Sequence, residues 1–453
     1  MRKSAALTAL AAGTGLTLLL GGCTSGESAD DANTITVVYS KTDSFTALDT
    51  LLTQAKEQFE AANDGITVDL QPITATDDDY KTRLQLSLGS EDTAPDVFYE
   101  DTFNVRSDVE AGYLLNLDDH LAEWDDWALF DEGAKAAGEG GDGSIYALPL
   151  GTDTRVIWYN TNVLEAAGVP VPWQPESWQD ILDVAAQIKS SQPDVVPFNM
   201  YAGTGTGEGT VMQGFYELLY GTGDGTGLYD DAEGKWVVES QGFIDSLQFL
   251  QTLYEEGYAV APDQALDPNV WQAVFGEMFP QDQLGATVEG SYTPSFWIEG
   301  GSYEWPEYGE VMGVALFPTQ DGQEPGGVSM SGGWTLAASA TTDQPDLAFD
   351  FIATALNAEN SLWYAINNAQ IAVRTDVAQE PSYLEANPFV GDVSEAVAVT
   401  HFRPATGDYP QISVAAQQAT EAVITGQQSP EEAAAAYDDA VRQIVGEDNV
   451  IAK

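Results

Sequence analysis

The stretch from Ala147 to Gly168, Ala-Leu-Pro-Leu-Gly-Thr-Asp-Thr-Arg-Val-Ile-Trp-Tyr-Asn-Thr-Asn-Val-Leu-Glu-Ala-Ala-Gly, limits what this chain can fold into more than any other. Arg155-Val-Ile-Trp-Tyr159 is dense in β-branched and aromatic residues, which predicts a buried strand. Asn160 then offers a helix N-cap, and Val163 to Gly168 predicts a short helix ended by glycine. Val169-Pro-Val-Pro-Trp173 forces an extended segment before Ser177-Trp-Gln-Asp180 opens another helix as a capping box. A buried strand thus feeds directly into helices, with the polar Thr152-Asp153-Thr154 at its mouth.

The first residues stand apart from that pattern. Arg2-Lys3 is a cationic start, Ala5 to Leu20 is apolar, and Leu20-Gly-Gly-Cys23 places small residues and a cysteine directly behind. The apolar run is shorter than the ~20 residues that span a bilayer. Residues 1–22 therefore resemble a bacterial lipoprotein signal, with Cys23 as the lipidated N-terminus and 23–33 as a flexible tether. Cys23 is the only cysteine of the chain, so no intramolecular disulfide forms.

The remainder is long enough for two domains, and eleven tryptophans with 43% hydrophobic residues exclude a disordered chain. Seventy-two Asp+Glu against fifteen Lys+Arg leave a formal charge of −57. Such a field repels phosphate backbones and anionic headgroups and argues against nucleic-acid binding. The acidity itself has two readings, a solvated aggregation-resistant surface or adaptation to concentrated salt.

Along the chain, Thr34–Tyr39 predicts a strand, Leu48 to Phe59 an amphipathic helix, and Ile66–Leu70 a second strand. The Tyr39–Ser44 loop thus lies at a strand's carboxyl end, where open α/β sheets bind ligands. Ala94-Pro-Asp-Val-Phe-Tyr-Glu-Asp101 repeats the device and delivers Glu100 and Asp101 to the same edge. Gly138 to Gly143 satisfies G-x-G-x-x-G but precedes a strand instead of following one, so it is a hairpin or loop and no dinucleotide site. The glycine runs Gly203–Gly209 and Gly221–Gly227 lack a Gly-Lys-Ser/Thr ending and are surface or cleft loops. Further helices are expected at 177–190, 242–256, 345–357 and 411–424, and after the capping sequence Ser429-Pro-Glu-Glu432.

Leu148-Pro149, Tyr159-Asn160 and Ala167-Gly168 match the first inter-lobe crossover of extracellular solute-binding proteins, and the chain resembles their sugar-binding branch. Val109–Leu117, Gly285–Tyr292, Val311–Pro318, the glycine-rich Ser329–Leu336 and Gln370–Asp376 resemble further segments of that family in the same order. Tyr292 stands where the family's ligand-stacking tryptophan usually is, and Ala372 replaces an expected proline. The resemblance implies a two-lobe periplasmic-binding-protein-like fold, each lobe an open mixed sheet flanked by helices, joined by crossover hinge strands. Lobe 1 is expected to take 34–150 plus about 332–385, and lobe 2 to take 151–331 plus about 386–453. It further implies a monomeric, lipid-anchored receptor on the outer face of the cell membrane that hands a carbohydrate to the permease of an ABC importer.

The residues exclude most other chemistry. His120 and His401 sit far apart, no H-E-x-x-H or G-x-S-x-G occurs, and Asp77-Asp-Asp79 lacks the rest of a calcium loop. No cofactor or metal is expected. Sugar recognition needs carboxylates and arginine for hydroxyls and aromatic rings for the apolar sugar face. Asp43, Glu100, Asp101, Asp153, Arg155 and Arg403 are candidates for the first, and Tyr39, Tyr292, Trp334 and Tyr409 for the second. A secreted glycoside hydrolase with a carboxylate pair ~5–9.5 Å apart uses the same residue types, and the residues alone leave it open.

Overall fold

The computed structural model describes residues 33–42, 46–75, 77–223 and 225–453. The signal-like segment, Cys23 and Asp43 lie outside the described residues, as do the side chains of Asp77 and Asp78. Among the described residues no helix is long and apolar enough to cross a membrane.

The chain opens with β1 (Thr34–Ser40), α1 (Ala47–Ala62), β2 (Thr67–Ile73), α2 (Asp77–Leu88), β3 (Val97–Asp101) and α3 (Val105–Glu110). After the hairpin bridge of Glu139 to Ile145 come β4 (Ala147–Thr152) and β5 (Arg155–Asn160). The glycine run therefore precedes a strand, as its sequence indicated. Then follow β6 (Val196–Asn199), the hairpin β7 (Tyr229–Asp230) and β8 (Lys235–Val238), and β9 (Leu284–Gly290). The later strands are β10 (Met312–Ala315), β11 (Phe317–Pro318), β12 (Gly327–Met330), β13 (Gly333–Ala338), β14 (Thr400–His401) and β15 (Val450–Ala452).

These strands build two principal sheets, in the order β2-β1-β3-β13-β4 and β10-β5-β9-β6. In the first, β1 runs parallel to β2 and β3, while β13 is antiparallel to both β3 and β4. In the second, β5 is antiparallel to β9 and β10, and all six of its residues are buried. That burial explains the unbroken apolar run: a strand covered on both faces has no solvent side to alternate toward. Each sheet has its own core. One gathers Ile35 to Leu150 with Leu336 to Leu356, Tyr364 and Val373, the other Val156 to Met330 with Ile371 and Phe389 to Val441. The fold is the two-lobe α/β arrangement expected.

The caps follow the sequence with one difference. Asn160 accepts from Val163 N at 3.2 Å, and Ser429 and Glu432 form a reciprocal capping box. Ser177 accepts from Asp180 N, but the Asp180 carboxylate takes Glu176 N at 2.9 Å, so that box is half made. The helix expected from Gln411 starts at Tyr409, because Pro410 suits a first turn whose amide has no intrahelical partner. That earlier start carries Tyr409 to the helix end nearest the cavity described below.

Only Asp153-Thr154 separates β4 from β5, and only Ser331-Gly332 separates β12 from β13. The two crossings are laced together. Asp153 Oδ1 accepts from Gly332 N at 2.8 Å, Ser331 Oγ donates to Asp153 O at 2.7 Å, and Arg155 N donates to Ser329 Oγ at 2.9 Å. At Gly333, φ is +138° and a Cβ would lie 2.8 Å from Gly151 O, so only glycine lets β13 enter the first sheet here.

Candidate functional site

A cavity of about 740 Å³ opens between the two sheets and is lined from both sides. The first sheet contributes Glu100 and Asp101 at the end of β3, Trp334 at the start of β13, and Lys81, Asn104 and Asp108 from α2 and α3 with the turn before it. The second side contributes Glu208, Gln213, Glu289, Tyr292, Arg403 and Tyr409. A smaller cavity of about 160 Å³ adjoins it, and Trp334 and Tyr292 line both.

Register places these groups. Trp334 pairs with Asp101 and Thr335 with Glu100 across β13 and β3, and β13 is irregular against β4 between Trp334 and Thr335. The Trp334 ring stacks on Tyr99 with centroids 4.3 Å apart and planes within 4°. One face is thus covered by a core ring, while the half-buried residue lines the cavities. Tyr292 follows β9 directly. Its hydroxyl accepts from Gln213 Nε2 at 2.9 Å, and the Arg155 guanidinium lies 5.7 Å from its ring centroid.

Charge bridges the two sides. Arg403 donates to Asp101 Oδ1 at 2.7 Å, lies 3.6 Å from Glu208 Oε1, and covers the Phe103 ring at 4.1 Å. Burial alone would lower the Arg403 pKa, but Asp101 and Glu208 outweigh it and hold the guanidinium firmly charged. Glu208 also accepts from the Tyr409 hydroxyl and from Ser413 Oγ at 2.5 Å. Burial pushes Asp101 and Glu208 above the usual carboxylate range despite Arg403. Burial pushes Glu289 up to about 7 and, behind the wall, Glu217 up to about 8. Glu100 is raised well above its ordinary value by burial and then by neighbouring Asp108, which burial raises in turn.

Six of the sequence candidates meet at the larger cavity: Glu100, Asp101, Tyr292, Trp334, Arg403 and Tyr409. Asp153 reaches only the smaller one, and its carboxylate is held by Arg155 and Gly332. Arg155 lines neither cavity and serves the crossing. Tyr39 is not brought to the site: it is buried in the first core, with its hydroxyl donating to Asp49 at 2.5 Å. A tyrosine near the end of a strand alternates between edge and core by one residue, and composition does not reveal which.

Other lining groups were not singled out from sequence. Glu208 belongs to the Gly203–Gly209 run, whose glycines mark a surface or cleft loop but do not single out the acid. Glu289 carried a legible signal, because it is a carboxylate inside the wholly buried strand Leu284–Gly290. Lys81, Asn104, Asp108 and Gln213 sit in ordinary polar helix or loop contexts and gave none.

A cavity walled by two separately cored sheets and bridged by short crossings defines a bilobal binding protein. Residues 40–361 match the family model for bacterial extracellular solute-binding proteins, and the chain belongs to that family. It is a receptor and not an enzyme, and the hydrolase alternative finds no support there. The "Probable ABC transporter-binding protein" of Deinococcus radiodurans is 25% identical over 380 residues, covering 82% of this chain and 84% of the relative. Among solved structures, a Thermotoga lettingae ABC transporter solute-binding protein bound with alpha-D-tagatose superposes with a TM-score of 0.75 at 24% identity. It covers 91% of this chain and all of its own, 100%. Maltose-bound MalE3 of T. maritima gives a TM-score of 0.75 at 21% identity, covering 91% of this chain and 100% of that one.

Proposed function

We propose that the protein is the carbohydrate receptor of an ABC importer, closing its two lobes on a sugar and presenting it to the permease. The observation that carries this reading is the Trp334 ring, backed by Tyr99 and lining a cavity beside the Arg403–Asp101 ion pair. A flat apolar ring next to charge-assisted hydrogen-bonding groups suits a pyranose, which has an apolar face and a polar rim. The volume falls within the ~300–1,000 Å³ of small-molecule sites. Relatives of the same fold hold tagatose and maltose, which agrees with a sugar as solute.

Lobe 1 takes 34–150 plus about 332–385, and lobe 2 takes 151–331 plus about 386–453; the division of the buried residues into two cores supports these limits. The ligand touches both lobes, so closure is favoured by its higher affinity for the closed form. Glu100, Asp101, Tyr292, Trp334, Arg403 and Tyr409 contact it, and Asp153 with Arg155 holds the crossing. Asp43, outside the described residues, is a further candidate contact, and Tyr39 is not. The receptor acts as a monomer, tethered outside the cell by lipid on Cys23.

A thermal-shift screen of mono- and oligosaccharides tests this. A sugar at a hundred times its dissociation constant adds about 2.7 kcal/mol of stability. No shift with any sugar would remove the carbohydrate reading. Mass spectrometry of the membrane fraction tests the anchor, and an unmodified Cys23 within an intact N-terminus would remove it.

A further inference from the structure

The smaller cavity, of about 160 Å³, has a lining unlike that of its neighbour. The larger one is faced by Glu100, Asp101, Asp108, Glu208 and Glu289 together with Lys81 and Arg403. Among the described residues Asp153 is the only charged side chain lining the smaller one, and Arg155 and Gly332 N already meet its carboxylate. The remaining polar groups there are neutral hydroxyls and amides, among them Ser40, Asn368 and Gln370.

Asn368 and Gln370 are half-buried and held from behind. Asn368 Nδ2 donates to the Tyr364 hydroxyl at 2.9 Å, and Gln370 Nε2 donates to Asn368 O at 3.3 Å. The Gln370 side chain lies against β4, where a Cβ at Gly151 would come within 2.8 Å of Gln370 Cβ. Glycine at that position leaves room for the amide beside the crossing. Neither Asn368 Oδ1 nor Gln370 Oε1 accepts a hydrogen bond among the described residues, and neither is closed to solvent. The wall between the two cavities is a pair of rings, one from each core. Trp334 packs on the first core and Tyr292 on the second, and both line both cavities. Such a wall parts when the lobes separate and closes on what lies between its rings.

We propose that the smaller cavity is a second sugar subsite, so that the solute is a neutral oligosaccharide passing between Trp334 and Tyr292 to place a ring against Asn368 and Gln370; this rests on the carbohydrate reading above. An amide carries both an acceptor and N–H donors, and a hydroxyl is likewise donor and acceptor, so the two match without charge. A ring at the wall offers the flat apolar face that aromatic rings cover. A phosphate or carboxylate in the subsite would approach Asp153 and meet no cation lining the cavity among the described residues, which is costly for a charge taken out of water. An apolar chain would expel water and leave the two amide oxygens without donors. A monosaccharide fills one cavity only, whereas linked rings use both.

Titration calorimetry on the full-length protein tests this with glucose, maltose, maltotriose, cellobiose, cellotriose, mannose and mannotriose. The best oligosaccharide is expected to bind at least about tenfold more tightly than its own monosaccharide, equivalent to two hydrogen bonds of ordinary net strength. Asn368→Ala and Gln370→Ala should each shrink that ratio about threefold, and the double variant should bring it toward unity, with thermal unfolding as the check on folding. A crystal structure of the unaltered protein with the tightest oligosaccharide needs no variant and decides if the variants fail to fold. It is expected to show a sugar ring within hydrogen-bond distance of Asn368 or Gln370. A monosaccharide that binds as tightly as its oligomers overturns the proposal and leaves the carbohydrate receptor standing. So does an oligosaccharide whose advantage survives the double variant, or whose rings all lie in the larger cavity. Binding of no member of the panel overturns both.

Discussion

The crossing and the Glu100–Asp108 cluster are both buried and both charged, yet their charges are held differently. At the crossing, Asp153 is met by the Arg155 guanidinium and by Gly332 N at 2.8 Å, and Ser331 ties the backbone carbonyl. In the cluster, one side-chain oxygen each of Glu100, Asn104 and Asp108 has no hydrogen-bond partner. A buried charge with its partners in place fixes geometry, whereas a buried acceptor without one is costly to the fold. Both regions look alike in sequence, as short polar runs beside apolar strands. The first holds the two strand crossings together, while the second carries no comparable set of fixed partners.

The largest effect should come from breaking the crossing. Asp153→Ala leaves the 7%-exposed Arg155 side chain without its counter-charge, which costs ~3–5 kcal/mol in a buried pair. Chemical denaturation measures it, and a loss below ~1 kcal/mol would mean the pair is no more structural than a surface bridge.

The next effect concerns pH. Glu289 and Glu217 have folded pKa values of about 7 and about 8, above the ~4.3 of a free glutamate. Raised folded values mean that the fold favours the neutral acids. Their contribution is therefore complete below ~pH 4 and is lost as pH rises through 7 and 8. The melting temperature should fall between pH 5 and pH 9, and Glu217→Gln should flatten that fall. An unchanged slope in the variant would show that Glu217 is not the titrating group.

Trp334→Ala should act on ligand rather than fold. The ring loses a stack worth ~0.5–1.5 kcal/mol with Tyr99, less than the ~3–5 kcal/mol of a fully packed tryptophan. Sugar affinity should fall by ~2 kcal/mol. A large stability loss with unchanged affinity per folded molecule would make Trp334 a structural residue like those of the crossing.

Salt gives the smallest effect and separates surface from interior. Raising sodium chloride shortens the Debye length from ~30 to ~3 Å and should raise the melting temperature by screening the −57 surface. The gap between the unaltered protein and Asp153→Ala should not change, because a buried pair is screened far less. A flat melting temperature would leave the acidity as a matter of solubility alone.

Much of the frame was legible residue by residue. The Arg155–Tyr159 run announced a buried strand, Asn160 and Ser429 announced helix starts, and the glycine-rich Ser329–Leu336 resembled a second crossover. Trp334, Tyr292, Asp101 and Arg403 were legible as site candidates because the resemblance puts them at crossings and loops, where binding residues concentrate, and because their chemistry suits a sugar. Tyr39 shows the limit, since its hydroxyl found Asp49 within the core and not the cleft.

By itself the sequence determined periodicity, caps and turns, because those depend on neighbours along the chain, while the two crossings were read from the resemblance. Only the tertiary structure decided that β13 inserts between β3 and β4, which brings Trp334 beside Asp101 from more than two hundred residues away. Only it decided that Arg403 closes on Asp101 and Glu208, and that Glu100 and Asp108 are buried beside each other. The physical reason is that pairing, burial and the electrostatic environment of a charge are sums over groups brought together in space, and spacing along the chain carries no record of them.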